Sequence, residues 1–317
     1  MDVEIRAMRP GDVPELVGAW NRSLVHDPLT LEIFEEKVLL DPNFDPAGCR
    51  VAVEDGRIAG FVHAVVRATP YPRGFERLVE GDRDKGWIVA LFVVPERRRR
   101  GIGSALLGAG LDFLRERGRR RAILCSYTPN YLLVGVDREG YPGAFEFFQR
   151  HGFAAGGESV GMAVDLQGFS VPAEAREAAE RLAAEGIAAC YFERGHLLPT
   201  LAFLEASFPT WVHYFLDKLA RGHDPDEIVI VTRGDEVVGY CQHRYYQHVE
   251  RTGPFGVRED LQGKGIGTLM LCKLLERMAQ KGYKLGWFTS TDTRTARFYE
   301  RAGYRVVRRH VGMARDL

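Results

Sequence analysis

Two short glycine runs in this 317-residue sequence have the residue types and spacing of an anion-binding turn. They are RRRGIGS at Arg98–Ser104 and QGKGIGT at Gln262–Thr268, and each stands directly before an amphipathic segment. The first turn of a helix carries unpaired N–H groups and a partial positive charge, and glycines let a phosphate approach those amides. The runs therefore predict phosphate-binding turns, to which Lys264 and the arginines add charge. The hydroxyls of Ser104 and Thr268 either bond the phosphate or cap the helix.

The spacing of the glycines excludes two common phosphate motifs. A Walker P-loop, GxxxxGK[ST], requires Ser or Thr after its lysine, but Gly265 follows Lys264. The dinucleotide fingerprint GxGxxG requires a glycine where the two runs have Leu106 and Met270. The pattern that both runs satisfy is [Q/R]-x-x-G-x-[G/A]. A Rossmann-type nucleotide-binding module is therefore disfavoured.

The chain repeats itself at long distance. Gly265 follows Gly101 by 164 positions, and VGMAVDL at 160–166 recurs as VGMARDL at 311–317. Self-similarity at this spacing indicates a duplicated domain, and 317 residues suit two domains of about 150 residues each. We expect domains at 1–167 and 173–317, joined by a short linker.

Each copy has the same elements around its turn. GWIVALFVV at 86–94 has almost no polar residue, which predicts a strand buried on both faces, and a helix follows from Ser104. GPFGV at 253–257 ends the corresponding strand of the second copy. Short helices end at Gly152 and Gly303. This succession indicates an α/β fold with a mixed sheet flanked by helices.

With its turn and later segments present twice, the chain resembles the GCN5-related N-acetyltransferase (GNAT) family. ARFYERAGY at 296–304 is similar to the second signature of that family. The resemblance implies two tandem GNAT domains, each a mostly antiparallel sheet with a splayed central strand pair, and acetyl-CoA as cosubstrate. It implies coenzyme-binding residues in both copies: Val257, Gln262, Gly263, Lys264, Gly265, Ile266, Gly267 and Thr268 in the second, and Val93, Arg98, Arg99, Arg100, Gly101, Ile102, Gly103 and Ser104 in the first.

The resemblance also implies two catalytic candidates in the second copy. Acyl transfer in the family is direct attack of an amine on the thioester, which needs a general base or water chain and is helped by a general acid. Tyr299 occupies the acid's motif position; the alternative is a packing role on its helix. Glu250, with His248 nearby, precedes GPFGV and is the better candidate base; the alternative is an exposed charge at a strand end.

The first copy lacks this tyrosine. Aligning the glycines that end the two short helices places Phe148 opposite Tyr299, and phenylalanine has no proton to donate. Tyr131 or Tyr141 could substitute, although loop packing explains both more simply. We expect a catalytic C-terminal domain and a degenerate N-terminal domain that binds acyl-CoA or serves as a scaffold. This asymmetry resembles tandem members of the family such as mycothiol synthase.

Composition narrows the function classes. The net charge is zero, which argues against nucleic acid, and no apolar run is long enough for a membrane span. Five scattered cysteines suit a reducing cytoplasm, and no histidine spacing suggests a metal site. We expect a cytoplasmic acetyl-CoA-dependent N-acetyltransferase, monomeric or homodimeric, acting on a small-molecule amine or a protein amine. The alternative is a non-catalytic acyl-CoA-binding or regulatory protein.

Overall fold

The computed structural model describes residues 3–70, 72–222, 224–245 and 247–317, which divide into two compact units. The first unit holds most of the chain up to Ser159 together with Arg309–Leu317. The second unit holds Pro72–Phe75 and Val160–Arg308. The sequence predicts domains at 1–167 and 173–317. In the structure, VGMAVDL at 160–166 belongs to the second unit and VGMARDL at 311–317 belongs to the first.

The first unit begins with ten elements in chain order. They are β1 (Glu4–Ala7), α1 (Val13–Ser23), α2 (Leu31–Phe34), β2 (Cys49–Glu54), β3 (Arg57–Val65), α3 (Glu76–Gly81), β4 (Lys85–Val93), α4 (Ile102–Glu116), β5 (Arg121–Leu124) and α5 (Ala144–Arg150). The strands follow the order β1-β2-β3-β4-β5 across the sheet, and only the β4–β5 pairing among them is parallel. The end of the chain continues this sheet, because Ala314 pairs with Ile123 in antiparallel fashion.

The remaining elements begin at the end of the first repeat. They are β6 (Ala154–Asp165), α6 (Ala173–Ala184), β7 (Ile187–Tyr191), α7 (Leu197–Ser207), α8 (Val212–Ala220), β8 (Ile228–Arg233), β9 (Glu236–Tyr245), β10 (His248–Val257), α9 (Ile266–Gln280), β11 (Leu285–Asp292), α10 (Thr293–Glu300) and β12 (Arg305–Asp316). In the second unit the strands follow the order β6-β11-β10-β9-β8-β7. No described helix is long and apolar enough to cross a bilayer.

The central parallel strand pair of each unit separates along its length. In the first unit β4 pairs with β5 only from Lys85 to Ile88, although β4 continues to Val93. In the second unit the β10–β11 register has a single pair, Arg251 with Trp287. The prediction of a mostly antiparallel α/β sheet with a splayed central pair is confirmed, and the separation opens a slot that leads to each glycine turn.

The helix after each turn is fixed to its sheet by an apolar face. Helical spacing buries Ile102, Leu106, Leu107, Leu111 and Leu114 of α4, and Ile266, Met270, Leu274, Leu275 and Met278 of α9. Each large aliphatic side chain contributes about 1.5–3 kcal/mol when fully buried. The N-terminus of each helix is therefore held in place beneath its turn.

One buried histidine of the first unit has no hydrogen-bond partner. His63 of β3 is 1% exposed, and neither of its ring nitrogens bonds any group in the described part of the chain. Burial lowers the pKa of His63 to about 4 because charging the ring would require hydration that the core cannot supply.

We expect the unfolding free energy to fall as the pH is lowered from about 6.5 to 4. In this window the unfolded chain binds a proton at His63 that the folded chain does not. The contribution of neutral His63 to the unfolding free energy is therefore complete above pH 6.5 and is lost progressively as the pH falls towards 4. Urea denaturation, followed by tryptophan fluorescence at several pH values, measures the slope. A His63→Met variant fills the space without titrating and should show a shallower slope; equal slopes in the two proteins would contradict the assignment.

Candidate active site

The turn Gln262–Thr268 connects β10 to α9 in a backbone conformation that favours glycine. Gly263 and Gly265 have φ angles of +79° and +91°, in the left-handed region, and Gly265 is the N-cap of α9. The side chain of Gln262 folds back, and its Nε2 donates to the carbonyl oxygen of Val257 at 3.2 Å. This hydrogen bond ties the turn to the end of β10.

The amides of this turn are available to a ligand. Within the described residues, no backbone or capping acceptor receives the N–H groups from Gly263 to Thr268. A Cβ placed on Gly263 would meet no atom within 4 Å, so the space beside the turn is open. Lys264 is exposed and adds a positive charge. These donors, the helix dipole and the open space fit a pyrophosphate group.

The first unit builds the same turn with different side chains. Arg99 and Gly101 have φ angles of +63° and +82°, and Gly101 is the N-cap of α4. The guanidinium of Arg98 donates through Nε to the carbonyl oxygen of Val93 at 3.0 Å, as Gln262 does to Val257. The first residue of the [Q/R]-x-x-G-x-[G/A] pattern therefore anchors the turn to its strand in both units.

The arginines of the first turn are partly neutralised. Arg97 and Arg100 form ion pairs of 2.8 and 2.6 Å with Glu54, whose side chain is fully buried. Arg233 occupies the equivalent position in the second unit, directly before the hairpin turn. The strand position that holds a carboxylate in the first unit thus holds an exposed arginine in the second.

The hydroxyl at the start of α4 is also engaged. Ser104 Oγ lies 3.0 Å from Nε2 of His151, whose Nδ1 lies 2.7 Å from the carbonyl oxygen of Phe147. No such contact is made by Thr268 among the described residues. The two turns therefore share a backbone and differ in the groups that reach a bound anion.

A β-bulge lies in the slot of the second unit, and the sequence analysis missed it. Thr252 pairs with His243 and Phe255 with Cys241, so β10 has one extra residue between these pairs. The bulge interrupts the pairing of β10 with β9 next to the place where β11 departs. Gly253–Pro254 inside a strand is the signal that predicts such an irregularity.

Tyr299 lies on α10 beside the turn and the splayed strand. Its side chain is 8% exposed, and its ring contacts Phe288, Phe255 and Phe298, with centroid distances of 4.5, 5.8 and 5.0 Å. The ring of Phe298 also lies 3.3 Å from a Cβ placed on Gly267, which fixes α10 against the turn. Burial raises the pKa of Tyr299 above its ordinary value of 10.0. Its hydroxyl is therefore protonated at neutral pH, as a proton donor must be.

A polar pair lies in the same aromatic cluster. Thr252 Oγ1 is 3.2 Å from the hydroxyl of Tyr304, and it donates to the carbonyl oxygen of Trp287 at 3.3 Å. The ring of Tyr304 lies 5.4 Å from that of Tyr299. Sequence reasoning did not single out this pair, because 52 positions separate its members.

Glu250 has a structural role that the sequence did not reveal. Its Oε1 accepts the backbone amides of Lys284 at 3.1 Å and Leu285 at 3.3 Å, at the start of β11. These bonds hold β11 against the beginning of β10, before the strands separate. Glu250 precedes Val257 by seven residues, or about 23 Å of extended strand, so it lies at the end of the slot away from the turn.

The short helix of the first unit has phenylalanine in place of Tyr299. A Cβ atom placed on Gly103 would lie 3.5 Å from the ring of Phe147. A Cβ atom placed on Gly267 would lie close to the ring of Phe298 in the same way. This equivalence sets the register between α5 and α10 and places Phe148 where the second unit has Tyr299. In the described part of the chain, no cluster of three His, Cys, Asp or Glu residues could hold a metal ion.

Two family models match the chain. The Acetyltransferase (GNAT) family model matches residues 13–153, and the Acetyltransferase (GNAT) domain model matches residues 224–306. Mycothiol acetyltransferase from Acidimicrobium ferrooxidans is 45% identical over 71 residues, which are 22% of this chain and 20% of that protein. The enzyme of the same name from Streptomyces bingchenggensis is 32% identical over 145 residues, 44% of this chain and 42% of that protein. The chain thus covers less than half the length of these relatives.

Solved structures share the fold over nearly the whole chain. A GCN5-related glucosamine N-acetyltransferase region of a fungal multi-domain β-N-acetylglucosaminidase aligns with a TM-score of 0.79 and 20% identity, covering 99% of this chain and 38% of that one. A tandem GNAT protein from the clavulanic acid biosynthesis pathway aligns with a TM-score of 0.69 and 16% identity, covering 99% and 98%. With a family model matched in each half, the chain belongs to the GNAT acetyltransferase family and carries two of its domains in tandem.

Proposed function

We propose that this protein is an acetyl-CoA-dependent N-acetyltransferase whose second unit carries the activity. The observation that carries the proposal is the position of a buried, protonated tyrosine, Tyr299, beside a turn whose amides meet no acceptor among the described residues. Family membership and the N-acetyltransferase names of relatives support the reaction class.

The residues of the second turn bind the coenzyme in this proposal. The amides from Gly263 to Thr268 hold its pyrophosphate, and Lys264 adds long-range attraction. Val257 lies at the strand end beside the pantetheine arm, which enters the slot between β10 and β11. The coenzyme supplies an activated acetyl thioester, and the protein supplies its orientation relative to the acceptor amine.

The chain's own groups move two protons. The amine attacks the thioester carbonyl, a C–N bond forms and the C–S bond breaks. Tyr299 donates its hydroxyl proton to the departing sulfur, and a base or a water chain takes the proton of the amine. Glu250 is the candidate for this second role, acting through water because its Oε1 already accepts two backbone amides.

The first unit is proposed to be catalytically degenerate. Phe148 offers no proton where Tyr299 stands in the second unit, and Glu54 pairs with Arg100 of the first turn and with Arg97 directly before it. A non-catalytic acyl-CoA-binding or scaffolding role follows for this unit. For the second unit, the acceptor class is a small-molecule primary amine, as the names of the mycothiol acetyltransferase relatives favour, with a protein amine as the alternative.

We expect Tyr299→Phe to lower kcat by about 100-fold without changing the KM for acetyl-CoA, because it removes only the proposed proton donor. Release of free thiol in the presence of a panel of amines measures the rate. Tyr283→Phe, which removes another hydroxyl of the same unit, serves as the control and should retain its rate. An unchanged kcat in Tyr299→Phe would remove the tyrosine from the mechanism.

We expect Tyr299 to remain protonated through pH 10. Its pKa is raised by burial, so the tyrosinate absorbance of the folded wild type and of Tyr299→Phe should coincide between about pH 9 and 11. Ultraviolet difference titration measures this. Extra tyrosinate absorbance in the wild type over that range would contradict the burial of the Tyr299 hydroxyl.

We expect Gly265→Ala to weaken coenzyme A binding by at least about tenfold, because a side chain at its φ angle of +91° strains the turn and shifts the amides that the anion needs. Gly282, at the other end of α9, is the matched control, since its φ angle is +82° and a Cβ there meets no atom within 4 Å. Both variants should lose about 1 kcal/mol of stability through the strained φ angle. Calorimetric titration measures affinity; equal affinities in the two variants would contradict the cradle.

A further inference from the structure

A second cavity lies in the second unit, and neither Tyr299 nor Glu250 lines it. Its volume is about 640 Å³, within the usual range for small-molecule sites. The linker after β6, helix α6 and the outer face of α9 line it, and it opens to solvent. Its apolar walls come from Phe169, Val171, Ala175, Ala179, Leu269 and Cys272.

The charged residues of this cavity have an excess of positive charge. Arg176 of α6 and Lys273 of α9 line it, and within the described residues neither forms an ion pair. The ammonium of Lys273 lies 4.5 Å from the centre of the Tyr191 ring, a cation–π contact that holds the side chain in place. One carboxylate, that of Glu276, lies on the same face of α9. Two cations against one anion favour an anionic ligand.

The residues that line the cavity match an elongated ligand. The α9 residues that line it run from Leu269 to Gln280, which corresponds to about 16 Å along the helix. Apolar side chains from the linker and α6 line the same cavity. A molecule with one carboxylate and an unbranched hydrocarbon chain matches the arrangement in both charge and polarity.

We propose that this cavity is a second ligand site that binds a medium-chain carboxylic acid. The carboxylate lies against Arg176 and Lys273, and the hydrocarbon chain lies along α9 between Phe169 and Ala179. The site is independent of acyl transfer, so its test requires no activity.

The cavity and the glycine turn share helix α6. Ala178 lies 3.7 Å from a Cβ placed on Gly265, while Ala175 and Ala179 of the same helix face the cavity. A test must therefore distinguish a separate site from an extension of the coenzyme slot. Titration in the presence of saturating coenzyme A makes this distinction.

The experiment is calorimetric titration of the full chain with decanoate, below its micelle concentration, with and without coenzyme A. We expect one decanoate per chain, bound in both conditions. Lys273→Gln and Arg176→Gln should each weaken binding about threefold to tenfold, and Glu276→Gln should strengthen it about threefold. Arg181→Gln removes the same charge from α6 at a residue outside the cavity and should change nothing.

Four results would overturn the proposal. They are no binding of decanoate, loss of binding when coenzyme A is present, equal affinity for decanoate and decanol, and equal affinity in the wild type, Lys273→Gln and Arg176→Gln. Circular dichroism of each variant verifies folding, and the opposite sign expected for Glu276→Gln separates a charge effect from a general loss of structure.

Discussion

The site depends on keeping backbone amides without partners at the start of a buried helix. An unpaired N–H group is costly inside a protein, and here it is tolerated because the turn faces open space. Two constraints maintain the geometry: left-handed glycines shape the turn, and a side-chain bond to the last strand carbonyl holds it. Both units contain both constraints, through Gln262 on Val257 and Arg98 on Val93. The buried faces of α4 and α9 then keep the helix axes directed at the anion.

Side chains, rather than backbone, distinguish the two units. The turns have the same φ pattern, yet the first has buried Glu54 paired with its arginines and His151 on its hydroxyl. The second has Arg233 at the position of Glu54 and an exposed Lys264. Phe148 and Tyr299 differ in the same way, because Tyr299 has a hydroxyl proton that can be transferred and Phe148 has none. The proposal that the chemistry is confined to the second copy rests on these side-chain differences.

Aromatic packing accounts for both the position and the protonation of Tyr299. Rings from β10, β11 and α10 surround it, which fixes the ring and excludes the water that would stabilise a phenolate. Phe298 links this cluster to the turn through its contact at Gly267. The packing that stabilises the short helix and the environment that raises the pKa of Tyr299 are thus the same set of contacts.

Features that depend on local chain geometry were predictable from the sequence. Glycine is favoured at positive φ, and helical or strand periodicity can be recognised over a few residues, so the turns, the helices after them and the α/β sheet were expected, whereas the splayed strand pair was implied only by the family resemblance. The family pattern occurs twice in the sequence, which also predicted the tandem arrangement. Gly253–Pro254 carried a local signal for the bulge that was not used.

Contacts between residues far apart in the sequence were decided by the tertiary structure alone. The pairing of Arg100 with Glu54, the contact of Ser104 with His151 and the bonds from Lys284 and Leu285 to Glu250 each join positions at least 34 residues apart. The chain end that pairs with β5 belongs to the same class. The sequence determined what each segment could form by itself, whereas burial and long-range hydrogen bonding decided which charges were neutralised and which donors stayed free, because these energies exist only once the strands and helices have packed together.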